Sequence, residues 1–131
     1  MLNSITLKYG QVYLIPGTGY VNIQSIPNLI VFEGFGLTLS PLQISTRLNL
    51  LKSYAEQLNI IFVLVTTSQT AINKFDSCPE NILIPNPAKD GLELMMLTDY
   101  RSRKWLSNFT LGDLYGEYEI PSLPYDERFV K

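Results

Sequence analysis

The sequence predicts a mixed α/β (α+β) fold, with an N-terminal antiparallel β meander, one long amphipathic helix, and a strand-helix-strand unit on the same sheet. Three observations carry this expectation. Short β-prone runs alternate with turn residues from Ile5 to Phe35, a Ser-Pro-Leu-Gln helix start stands at Ser40, and an unbroken apolar run fills Ile60 to Val65. The expected organisation is one globular domain over residues 1–114 followed by an extended C-terminal arm over 115–131.

The meander is read from four runs: Ile5 to Tyr9, Val12 to Ile15, Tyr20 to Gln24 and Leu29 to Phe35. Pro16-Gly17-Thr18-Gly19 is turn chemistry, because proline fixes one φ and the glycines supply positive φ, which suits a hairpin between two strands. Ser25-Ile26-Pro27-Asn28 marks a second reversal.

The helix that follows has the best-marked start in the chain. Ser40 and Gln43 stand at capping-box spacing, and Pro41 occupies the first helical position, where its missing donor costs nothing. Ile44, Leu48, Leu51, Ala55 and Leu58 recur at spacings of three and four and make one apolar stripe for the sheet, with Arg47, Lys52 and Glu56 off it. Asn59 suits the left-handed position that ends a helix.

Ile60 to Val65 is apolar on both faces and rich in β-branched residues, the pattern of a central strand covered on both sides. Thr66-Thr67-Ser68 follows, with Ser68 placed to cap a short helix over 69–75, and Ile82 to Ile84 is a further short strand. After the turn residues at 85–91, the run Leu92 to Leu97 reads in two ways. It is a strand followed by a helix capped at Thr98 or Asp99 and running to Phe109, or one long helix capped by Asp90 and Glu93. The first is favoured because four consecutive apolar residues at 94–97 cover too much circumference for a surface helix. From Tyr115 onward, Pro121 and Pro124 exclude a helix and favour an extended arm, rich in tyrosine, that lies in a groove of its own domain or of a neighbour.

Charge is distributed very unevenly. The first 46 residues hold only Lys8 and Glu33 of the chain's 10 basic and 12 acidic side chains. A net charge of −2 gives no general electrostatic footprint for nucleic acid. One cysteine permits no intramolecular disulfide, and no signal-peptide pattern opens the chain, so the expected location is the cytoplasm or the interior of an assembled particle. No apolar run approaches the roughly 20 residues that span a bilayer, so no membrane partner is expected.

Candidate chemistry is sparse. The absence of histidine removes the usual general base and the commonest metal ligand, and a single Cys78 cannot build a thiolate metal site, so no catalytic residue, metal or cofactor is expected. Thr66, Thr67 and Ser68 are the candidate anion site, since hydroxyls at the carboxyl end of a strand entering a helix suit a phosphate or carboxylate. Arg101, Arg103, Lys104 and Trp105 form the one basic cluster, a candidate contact for nucleic acid or an acidic partner.

The leading expectation is a non-enzymatic interaction or assembly protein, a structural subunit of a larger particle of the phage or mobile-element kind or a small regulator. Low charge is what marks the buried centre of an interface. Tyr9, Tyr13, Tyr20 and Phe35, with Tyr118, Tyr125 and Phe129 of the arm, are the candidate anchors for a protein partner or self-association. The alternative is a small anion- or nucleotide-binding domain or enzyme at Thr66 to Ser68, or local nucleic-acid contact through Arg101 to Trp105.

Overall fold

The computed structural model describes residues 5–19, 26–89 and 93–122. Three parallel strands form the main sheet: β1 (Gln11–Pro16), β2 (Leu29–Glu33) and β3 (Ile61–Thr66), in the order β1-β3-β2. Gln11 stands opposite Ile61 at one edge of β3, and Leu29 stands opposite the same residue at the other. An isolated parallel bridge between Leu14 and Ile82 brings a small antiparallel pair, β4 (Leu83–Pro85) and β5 (Leu94–Met96), against the free side of β1.

The mixed α/β class and the central position of β3 match the expectation from sequence, but the antiparallel meander does not. β1 and β2 both run parallel to β3 and are separated by it. Pro16-Gly17-Thr18-Gly19 therefore does not close a hairpin between β1 and β2; Gly17 N–H donates to the Thr66 carbonyl at 2.8 Å, a continuation of the β1-β3 ladder. The expected strand over 20–24 lies outside the described residues.

The long helix α1 (Pro41–Leu58) begins and ends where its local chemistry says it must. Both capping-box bonds form: the Ser40 N–H donates to Gln43 Oε1 at 2.8 Å, and the Gln43 N–H donates to Ser40 Oγ at 3.3 Å. Asn59 closes it in the left-handed conformation, φ 53°. Ile44, Leu48 and Ala55 are buried and Leu51 packs on them, while Leu58, the last member of the predicted stripe, is 62 % exposed.

Strand alternation divides the core in two. Val12, Leu14, Phe62, Leu64, Ile82 and Ile84 point to the face that carries the helices. Tyr13, Ile15, Ile61, Val63, Val65 and Leu83 point to the other, where Ile5, Leu7 and Ile26 pack on them.

The connection after β3 is α2 (Gln69–Asn73), started by Ser68, whose Oγ accepts from Ala71 N–H at 3.2 Å. A single 3-10 turn at Pro79–Asn81 leads into β4. The expected strand-then-helix order after residue 92 holds, with β5 pairing on β4. The helix, however, is split into α3 (Leu97–Tyr100) and α4 (Arg103–Leu106), because Arg101 is extended, φ −137°, and Ser102 restarts the chain as a new cap. A further helix, α5 (Leu111–Gly116), crosses the expected domain boundary at 114/115, and Ile120 beyond it is buried.

Candidate functional site

The proposed anion site is occupied by the protein's own bonding. Thr66 is buried, its hydroxyl donates to the Phe35 carbonyl and accepts from Ser68 N–H, and Ser68 caps α2. These bonds tie the loop after β2 to the end of β3. Thr67 is half-buried beside them. Nearby in sequence to the end of β1, Thr18 Oγ1 is buried with no hydrogen-bond partner among the described residues.

The basic cluster is dispersed. Arg103 forms an ion pair with Glu80 and donates to the Ser77 carbonyl at 3.1 Å, so it serves the turn before β4. The Arg101 guanidinium lies over the rings of Tyr100 and Trp105, 4.5 and 5.4 Å from their centres. Lys104 is exposed. Arg101 and Trp105 thus meet across the break between α3 and α4.

Of the aromatic anchors, Tyr20, Tyr125 and Phe129 lie outside the described residues. Tyr13 is buried in the second core, its hydroxyl accepting from Lys8 N–H at 3.0 Å, and Phe35 packs on the first. Tyr9 and Tyr118 are exposed. Burial of β1 on both faces explains much of the missing charge in the first 46 residues: an interior strand cannot carry it.

The exposed apolar residues of the described chain include two on β2 and three on one flank of α1. Ile30 and Phe32 are 43 % and 41 % exposed, and Phe32 stacks on Phe62 with ring centres 5.9 Å apart. Among the described residues β2 pairs on one side only. On α1, Lys52 reaches over Phe75, just beyond α2, at 5.8 Å. At about 100° per residue, Leu50, Tyr54 and Leu58 fall on the flank away from Lys52, and all three are exposed. Sequence reasoning placed Leu58 in the core and named neither Ile30 nor Phe32 as an anchor. The signal was present: β2 lacks the lysine, proline or inward charge that blunts an edge strand.

A second surface lies around α4 and α5. Trp105 and Phe109 meet with ring centres 4.7 Å apart and line an open cleft of about 720 Å³ together with Leu114 and the carboxylates Asp113, Glu117 and Glu119.

Cys78 lines a smaller cleft with Lys52 and Glu80, and burial pushes its thiol above the ordinary value of 9.0, against the opposing pull of Lys52. Such a thiol is a poor nucleophile near neutral pH. Among the described residues no group of three acidic or cysteine side chains is placed to hold a metal ion, and no helix is long and apolar enough to cross a membrane.

No protein-family model, curated protein or solved structure matches the chain.

Proposed function

We propose that this protein works by association rather than by catalysis, as a non-enzymatic assembly subunit whose contact face is the edge of β2 with the neighbouring flank of α1, and whose first partner is a second copy of itself. The observation that supports this reading is the pair Ile30 and Phe32, half-exposed on an edge strand that has no charge before Glu33. Edge strands of this kind recruit another strand unless something blocks them.

A two-fold arrangement follows from the strand's own pattern. Antiparallel pairing of two β2 strands about Val31 sets Ile30 of each copy against Phe32 of the other, on the face where Phe32 already stacks on Phe62. Leu29 then opposes Glu33, near each end of the pairing. Leu50, Tyr54 and Leu58 extend the apolar area beyond a single strand, as a stable interface needs. The absolute mass of the full chain in solution tests this reading.

A further inference from the structure

The Trp105 cleft is lined by no residue of β2 or α1, and its composition is different in kind. One wall is aromatic: Trp105 and Phe109, tilted 45° to one another and both substantially exposed. The other wall is acidic. Asp113 and Glu117 lie four residues apart and so share one face of the last helix. Glu119 is brought back beside them because Tyr118 takes the left-handed conformation, φ 60°, and Glu119 N–H donates to the Leu114 carbonyl at 2.9 Å.

None of the three carboxylates has a cationic partner among the described residues. Among the described residues near the cleft in sequence, Arg103 pairs with Glu80, Arg101 lies at the rings of Tyr100 and Trp105, and Lys104 is exposed with no carboxylate within ion-pair distance. The cleft is thus lined by three carboxylates and two aromatic rings, and no cation of the described residues pairs with those carboxylates. Its volume of about 720 Å³ is in the range of clefts that hold a ligand of some tens of atoms.

Those properties select a partner. Nucleic acid is repelled by the carboxylates, and an acidic peptide likewise. A purely apolar segment leaves the acids unused. A guanidinium satisfies both walls at once, because its plane stacks on an aromatic ring while its N–H fork bonds a carboxylate. Arg101 already shows that the Trp105 ring accepts a guanidinium at 5.4 Å. We propose that this cleft binds an arginine-bearing extended segment of a protein partner, with alternate residues of the segment directed at the acidic and aromatic walls. This goes beyond the association through β2 and does not depend on it.

Trp105 is the single tryptophan of the chain, so its emission reports the cleft without labelling. The probe is a ten-residue peptide alternating arginine and leucine, free of tryptophan, titrated into the full-length protein. Three comparison ligands are used: the peptide with glutamate for arginine, a ten-nucleotide oligothymidylate, and arginine amide. The proposal expects a saturable emission change with the arginine peptide alone, an affinity that falls at least tenfold between 50 mM and 500 mM salt, and at least a tenfold loss in the variant carrying D113N, E117Q and E119Q. Absence of saturation overturns it, as does equal binding of the acidic peptide or of the oligonucleotide. Arginine amide binding as tightly as the peptide would overturn the segment in favour of a small cation. The salt series on the unaltered protein keeps the test decisive should the triple variant fold poorly.

Discussion

Asn73 Oδ1 accepts a hydrogen bond from the Gly112 N–H at 2.6 Å, across 39 residues of chain. Asp76 does the same for Leu111 at 2.8 Å. Thr110, the residue at the cap position of α5, makes no side-chain cap bond, so the helix is started by side chains from the end of α2 and the turn after it. These two bonds fix α5 on α2, and Asp113 and Glu117 line one cleft with Trp105.

The first prediction concerns that packing. A methyl at Gly112 would overlap the Gln69 backbone oxygen and lie 2.6 Å from Asn73 Oδ1, neither of which can move without losing a bond. Gly112→Ala should cost about 1–3 kcal/mol in urea unfolding. At Gly116 the nearest obstacle is the Gln69 side-chain amide, 2.7 Å away, which can rotate aside. Gly116→Ala should be distinctly milder.

The same contact explains why α5 was not legible in the sequence. Leu111 to Gly116 is short and holds two glycines, so its local propensity is poor, and its cap comes from residues 35 and 39 positions earlier. The only local hint was the spacing of Asp113 and Glu117. Without α5, Trp105 could be read only beside Arg101, Arg103 and Lys104, and the acidic wall went unseen.

By contrast α1 was legible because its limits are set locally, by Ser40, Pro41, Gln43 and Asn59. Ser40→Ala removes one cap bond on an exposed surface and should cost about 1 kcal/mol by thermal or urea unfolding. Leaving Ser40 in place and changing Gln43→Ala should cost less, since only the reciprocal bond is lost.

Strand direction was not legible, for a physical reason. Alternating β-prone runs separated by proline and glycine look alike whether the neighbours in sequence pair or are parted by a third strand. The partner of β1 is β3, 50 residues away at Gln11 and Ile61. The pattern that separates the cases is burial on both faces, and β1 shows it: Val12 to Ile15 are all apolar, as in β3.

Cys78 gives a pH prediction. Burial raises its folded-state value above the ordinary 9.0, so the folded chain holds the thiol proton where the unfolded chain would release it. The resulting stability is fully present below about pH 9 and is lost as pH rises through the folded value. Replacing Cys78 with serine should flatten the decline of stability as pH rises from about 9 upward. Alkylation of the native protein by iodoacetamide at pH 7.5 should be slower than that of the urea-unfolded chain.

The Arg103 ion pair is largely solvent-exposed on both partners, 59 % and 45 %. Its removal should therefore barely move stability: Arg103→Ala should change unfolding by no more than about 1 kcal/mol. A larger loss in urea titration would mean that the bond to the Ser77 carbonyl, at 3.1 Å, holds the turn into β4.

Association through β2 and α1 is tested most directly by the absolute mass of the full-length chain, measured by light scattering behind a sizing column at two concentrations. A defined oligomer at a multiple of 14.9 kDa is expected, reverting to 14.9 kDa in Ile30→Lys, which places a charge opposite Phe32 of the other copy and leaves the Phe32–Phe62 stack intact. A 14.9 kDa monomer of the unaltered chain at both concentrations would contradict it.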